Sequence, residues 1–393
     1  MITVEQAITI IQANTEATQT FEIKKVREAL DSVLFEDVKS PIDMPPFRQS
    51  AMDGYAINLS ETDTYTIIGE VKAGDGHHPT LKKGEAVRIF TGAPVPDTAN
   101  AVVMQEKTLV EHNHLKINAL VADNENIRPL GEQVLKGEIA LKKGTRLTPA
   151  AIAFLTSLGI LEISTFKKPS IALVATGNEL IDAGQTLGYG QIYESNTSML
   201  NAALKPLGFT EVNSYKVEDQ YEHTVNLLDN IISNHDVVLI SGGISVGDYD
   251  FVGQALEELG VNELFYKVNQ KPGKPLFFGK KGHKMVFALP GNPAAALSCF
   301  YVYVYPALQK MSGNKSMYLN RTNAISTSNF AIKGDRAQFL KAIYNQGKVE
   351  ILDGQNSSML HTFALANALV YVPETSGSIK ISDTVEVMLL PIN

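Results

Sequence analysis

The sequence predicts a multidomain protein of the α/β plus β class, with a doubly wound, mostly parallel α/β unit at its centre. Three observations predict it. From Ser170 onward, apolar β-branched runs alternate with amphipathic stretches, the rhythm of a parallel sheet covered by helices on both faces. Residues 40–137 break instead into short alternating segments parted by turn residues, the texture of a small all-β domain. The stretch 322–390 is β-rich again.

Taken in order, residues 4–11 have helical spacing, and 21–30 form a polar-to-apolar stretch that stops at Asp31-Ser32. Pro41, Pro45 and Pro46 open the β texture, whose segments are 64–71, 86–90, 101–105 and 108–117. A helix returns over 148–158, with Pro149 in its first turn. The α/β series then runs as a strand at 171–175, a helix at 196–204 ending near Gly208, a strand at 211–217 and an amphipathic helix at 220–232. The run Val237-Val238-Leu239-Ile240 is too short and too branched for a helix, and reads as a buried strand. A helix over 251–259 follows, with Gly260 as its C-cap. An apolar helix spans 294–308. Strands at 322–326, 339–344, 348–352 and 384–390 close the chain, with Asn345-Gln346-Gly347 as a hairpin turn and one helix at 359–367. No internal repeat or heptad pattern is present.

Three glycine-rich loops organise the centre. The first, 241–250, carries Gly242, Gly243, Ser245, Asp248 and Asp250 between a strand and a helix, a layout that aims backbone N–H groups at an anion. The second, Lys271-Pro272-Gly273-Lys274-Pro275, sets two ammonium groups three residues apart on a stiffened turn. The third, Pro290-Gly291-Asn292-Pro293, opens an apolar helix. With Thr176-Gly177-Asn178-Glu179-Leu180, these fall beyond the carboxyl ends of strands, where ligands of open α/β sheets bind.

The chemistry follows from what the loops carry. Asp53, Glu179, Asp219, Asp248 and Asp250 stand in or beside loops, and hard cations such as Mg2+ take carboxylate and phosphate oxygens together. Lys271, Lys274 and Arg336 are the matching counter-charges for oxyanions. Blander readings compete: Asp219 also stands where a helix N-cap would, and Asp53 where an Asx turn would. His77-His78 has no third ligand at metal spacing, and His112 and His114 read as surface residues on a strand. Nucleophile-elbow and P-loop spacings are both missing, so the set suits phosphoryl-type chemistry run by positioning and electrostatics.

Bulk properties set the frame. The 393 residues allow two to four domains by the usual prior, with 44% hydrophobic and 19% charged residues. A net charge of -8 argues against a nucleic-acid binder. One cysteine, Cys299, lies in an apolar run and reads as inert core, which fits a reducing cytosol. No apolar run approaches a membrane span, and the opening Met1-Ile2-Thr3-Val4-Glu5 lacks signal-peptide features. A cytoplasmic location is expected, without a nucleic-acid or membrane partner.

Six motifs in order carry a resemblance: 50–56, 88–94, 176–180, 241–250, 271–275 and 290–293. On them the chain resembles the molybdopterin molybdenumtransferases, the MoeA type that is similar to the E domain of gephyrin. The resemblance implies insertion of molybdenum from molybdate into adenylylated molybdopterin, with release of AMP and a requirement for Mg2+. It implies an elongated homodimer, with a molybdopterin adenylyltransferase as a further partner. The implied domains are a linker and dimerisation domain at 21–39 and 138–168, an inserted β domain at 40–137, the α/β domain at 1–20 and 169–312, and a C-terminal β-barrel at 313–393. Carried over residue by residue, Asp53, Asp250, Lys271 and Lys274 are catalytic. Glu179, Asp219 and Asp250 hold the metal. Thr91, Gly177, Gly242, Gly243, Ser245, Pro290, Gly291, Arg336 and Ser357 bind substrate. Gln133, Asn178, Ala295 and Ser358 depart from the usual pattern, Ala295 by removing a hydroxyl from the oxyanion pocket. The alternative is a non-catalytic molybdopterin-nucleotide binder or scaffold.

Overall fold

The computed structural model describes residues 1–217, 220–243, 251–374 and 376–392. Two compact units divide the chain: residues 22–165 form one, and residues 1–21 join residue 166 and everything after it in the other.

In the larger unit, six strands run in the order Val212–Val217, Ile171–Thr176, Val237–Ser241, Lys284–Leu289, Phe277–Lys281, Asn262–Tyr266. The first four pair in parallel, while the last two pairings are antiparallel. Strand alternation sends Ile171, Leu173, Val237 and Leu239 to one face, against the helices Asn196–Leu204 and Pro293–Cys299. Ala172, Val174, Val238 and Ile240 go to the other, against Tyr221–Asn234 and Phe251–Glu258. Covering both faces explains the uninterrupted apolar runs in the sequence. Register is set by the same fact, because each buried Leu or Ile contributes roughly 1.5–3 kcal/mol. The antiparallel edge was not read from sequence: Asn262–Tyr266, Phe277–Lys281 and Lys284–Leu289 had no assignment there.

The expected helix over 294–308 is longer and bulged. It runs as Pro293–Cys299, a π-turn at Phe300–Val304, and Tyr305–Met311. Cys299 is fully buried, and burial pushes its thiol pKa up to about 12, so it is the inert core residue expected.

Five strands close into a barrel in the same unit. Arg321–Ser326, Ala337–Asn345, Lys348–Ile351, Ala368–Val372 and Thr384–Leu389 pair around a ring that Ala337–Asn345 and Ala368–Val372 complete. Leu340, Ala342, Val349, Val370 and Val387 belong to the barrel's own core. Phe339, Leu369, Tyr371 and Met388, of opposite parity, join the core of the α/β sheet. Ala368–Val372, buried on both faces, is the strand that sequence reading missed.

The smaller unit carries a second six-stranded sheet, ordered Ala101–Met104, Gly54–Ile57, Glu85–Ile89, Thr64–Val71, His114–Ile117, Thr108–Glu111. The expected single segment over 108–117 is a hairpin, turned at His112 with φ 57°. His112 therefore lies in the turn, not on a strand. The helix Pro149–Ser157 starts as expected, with the Thr148 hydroxyl accepting from the Ala151 N–H at 3.2 Å.

Candidate functional site

The chain leaves the strand Ile171–Thr176 toward one edge of the sheet and leaves Val237–Ser241 toward the other. Their carboxyl ends therefore flank the topological switch point. Gly242 and Gly243 sit there at φ +91° and +67°. A Cβ on Gly243 would lie 2.5 Å from the Val252 side chain and 2.7 Å from Thr176 Oγ1, so backbone conformation and space both demand glycine. Asn196 staples two loops here, its Nδ2 donating to Ser241 Oγ at 2.6 Å and to the Gly291 carbonyl at 2.8 Å. Its Oδ1 and the Thr176 Oγ1 are buried without a hydrogen-bond partner among the described residues. A buried polar atom left unpaired costs roughly 1–3 kcal/mol, so each of the two calls for a partner beyond the described residues.

The second and third loops meet beside the helix that begins at Pro293. Gly273 lies against it, so that an added Cβ would fall 2.5 Å from Cys299 Sγ and 3.7 Å from the Ala295 carbonyl. The buried Gln270 donates from Nε2 to the Gly273 carbonyl at 3.0 Å and accepts from the Tyr303 hydroxyl, fixing the turn from below. Lys271 and Lys274 are exposed, and neither ammonium has a partner among the described residues. Gln270–Lys271 pairs in parallel with Ala337–Gln338, which brings Arg336 to the same edge as a third cation. Pro290 is buried and Gly291 exposed. Asn292 Nδ2 donates to Ser357 Oγ at 2.9 Å, and the Ala295 N–H donates to the Ser357 carbonyl at 3.2 Å. The unit thus assembles Gly242, Gly243, Pro290, Gly291, Lys271, Lys274, Arg336 and Ser357 from loops far apart in sequence.

Asp53 and Thr91 sit in the smaller unit. Asp53 Oδ1 accepts from both the Thr91 N–H at 2.7 Å and the Thr91 hydroxyl at 2.8 Å. The bonds cross 38 residues, and no bond from this carboxylate to its own neighbouring backbone, as an Asx turn would make, is found among the described residues. The Thr91 amide, then its hydroxyl, hold the exposed Asp53 carboxyl below the ordinary Asp range. Asp53 is therefore a carboxylate at every pH above the ordinary Asp pKa. Thr91→Ala, which removes the second cause, is expected to move this carboxyl back toward its ordinary pKa in an NMR titration. An unchanged titration would leave the side-chain bond without effect.

Asp219, Ser245, Asp248 and Asp250 lie outside the described residues. Gln220 occupies the N-cap position of Tyr221–Asn234. Glu179 is exposed beyond the Ile171–Thr176 strand, its carboxylate folded over Gly177 so closely that a Cβ there would lie 2.5 Å from Oε2. Among the described residues no group of three or more His, Cys, Asp or Glu converges as a metal site. The arrangement sets Lys271, Lys274 and Arg336 along one edge and holds the Ser357 hydroxyl on Asn292 of the third loop.

Three family models together span most of the chain: MoeA N-terminal region (domain I and II) at residues 2–159, probable molybdopterin binding domain at 172–310, and MoeA C-terminal region (domain IV) at 323–390. A molybdopterin molybdenumtransferase of Haemophilus influenzae is 35% identical over 98% of both chains. The chain belongs to the molybdopterin molybdenumtransferase family. A Staphylococcus epidermidis molybdopterin molybdenumtransferase is 32% identical over 95% of this chain and 93% of its own. A molybdopterin biosynthesis MoeA protein from Pyrococcus horikoshii superposes with a TM-score of 0.87 at 30% identity, covering 99% and 100% of the two chains. The chain is thus a transferase of molybdenum cofactor biosynthesis. No helix among its described residues is long and apolar enough to cross a membrane.

Sequence reading missed several residues that hold these loops of the molybdenumtransferase in place. Asn196 was read only as the first residue of a helix, although a polar side chain in the first turn after a strand-end loop was a usable signal. Asn292 was seen as a loop residue but not as the partner of Ser357. Lys341, in the middle of a barrel strand, and the Gln270–Tyr303 pair under the lysine turn were not singled out at all.

Proposed function

We propose that the chain inserts molybdenum from molybdate into adenylylated molybdopterin, releasing AMP in a reaction that requires Mg2+. What supports this reading is the pairing that sets the Lys271–Lys274 turn beside Arg336, together with Ser357 held on the third loop: three cations and a hydroxyl suit a tetrahedral oxyanion. The glycine loops at the switch point take the phosphate-bearing substrate through backbone N–H groups, and Thr176 and Asn196 supply the buried polar atoms that it completes.

Glu179 fits a hard cation: it is an exposed carboxylate with no ion pair among the described residues, held over a glycine that leaves it room. Mg2+ is commonly bound by one or two protein carboxylates plus substrate phosphates, and Asp219 and Asp250 are the sequence candidates for the rest. Bound there, Mg2+ would neutralise phosphate charge at the adenylyl group. The same reading includes a cytoplasmic homodimer, a molybdopterin adenylyltransferase as a partner, and Asp53 with Thr91 as substrate-contacting residues.

The test is incubation with adenylylated molybdopterin, molybdate and Mg2+, following AMP and active cofactor together. AMP released in step with cofactor formation, and stopped by EDTA, supports the reading. Tight nucleotide binding with no AMP released replaces it with a non-catalytic binder. A sedimentation mass of one chain would remove the homodimer.

A further inference from the structure

Lys341 is the residue that the transferase reading leaves unexplained. It is 2% exposed in the middle of Ala337–Asn345, on the strand face opposite to Leu340 and Ala342 in the barrel core. Its ammonium donates to three carbonyls of one turn, Gly354 at 2.8 Å, Met359 at 3.0 Å and Asn356 at 3.2 Å. A lysine ammonium has three donors and no acceptor, so this set uses it completely and requires it charged. Gln355 secures the same turn, donating to the Lys341 and Leu352 carbonyls and accepting from the Lys341 N–H. Burial pulls the Lys341 pKa below the ordinary lysine value. A charge kept in such a place at a desolvation cost needs a reason. The turn it ties contains Ser357, whose Oγ accepts from Asn292 and whose carbonyl accepts from the Ala295 N–H. The Ser357 hydroxyl proton has no acceptor among the described residues, so it is available to donate to water or to a ligand.

We propose that Lys341 is a positioning residue of the transferase: its ammonium is the internal cation of the 354–359 turn, and through that turn it sets the Ser357 hydroxyl at the oxyanion site. The inference rests on the reading of Ser357 as an oxyanion contact. It places part of the molybdate specificity in a residue that never touches substrate. Two carbonyl-binding groups, one charged and one amide, give the turn a single conformation that neither would give alone.

Lys341→Met keeps the length of the side chain and removes all three donors. Its KM for molybdate is expected to rise about tenfold, the worth of one hydrogen bond lost from the site, while kcat and the KM for adenylylated molybdopterin stay within about threefold. Amide hydrogen exchange should show loss of protection confined to residues 353–360. The Ser357→Ala change should add nothing further in the Lys341→Met background. Should Lys341→Met be insoluble, Lys341→Arg carries the same readouts, since its planar fork cannot place three donors on these three carbonyls. An unchanged molybdate KM with unchanged exchange overturns the proposal, and so does protection lost across the whole barrel, which would make Lys341 a general stability residue. If exchange changes as expected but Ser357→Ala alone leaves molybdate use intact, the oxyanion reading of Ser357 fails while the turn-holding role of Lys341 stands.

Discussion

Lys274→Ala is expected to raise the half-saturating molybdate concentration by about 10- to 100-fold, the range set by losing one charge-assisted contact worth roughly 1.5–3 kcal/mol. Binding of adenylylated molybdopterin should change by less than about threefold. The asymmetry follows from the turn. Gln270, buried and bonded to Gly273 and Tyr303, holds the backbone from beneath, while Gly273 rests on the helix beside Cys299. Burial also keeps the Tyr303 phenol protonated, so it remains a donor to Gln270 at any working pH. A backbone fixed this way spends little entropy in presenting its ammonium, and a compact point charge suits a small dianion better than an extended nucleotide. Initial rates at varied molybdate decide it. A molybdate dependence identical to wild type would put Lys274 on another ligand, and Lys271→Ala would then be the variant to carry the effect.

What the sequence made legible, and what it did not, divides along physical lines. Period and punctuation marked the buried parallel strands, because Ile171–Thr176 and Val237–Ser241 are apolar on both faces and end in glycine loops. Thr64–Val71 and Asn196–Leu204 fell where their patterns put them. Phe277–Lys281 and Lys284–Leu289 were missed because three lysines and a short Gly282-His283 turn break the apolar pattern that a buried strand shows. The hairpin at His112 was hidden by continuous alternation across its turn. At the site, charged loop residues such as Lys271, Lys274 and Asp53 announced themselves. Their organisers did not: Asn196, Asn292, Gln270 and Lys341 act through partners 29 to 95 residues away or through carbonyls of another turn, and no local spacing encodes such a contact.

The largest effect on stability is expected from Gly54→Ala in the smaller unit. Gly54 pairs with Met104 on one side and Ile89 on the other, inside the second sheet. A Cβ there would lie 1.9 Å from the Val103 carbonyl oxygen and 2.8 Å from its carbon. Those are backbone atoms of the neighbouring strand, so no rotamer change relieves the clash and the two strands must part. Overpacking of this kind costs about 3 kcal/mol or more, which lowers Tm by roughly 10 °C in a unit of this size. Function shares the damage, because Asp53 precedes Gly54 and the Arg88 guanidinium, seated between the Tyr55 and Phe90 rings, donates to the Gly54 carbonyl at 3.1 Å. Gly69→Ala is the control, since a Cβ there meets nothing within 4 Å. Calorimetry on the two variants separates a steric demand from a general intolerance of alanine in these strands. Equal melting of Gly54→Ala and wild type would mean the strands open without cost. A lowered Tm in both would place the cause in strand propensity, not in the Val103 carbonyl.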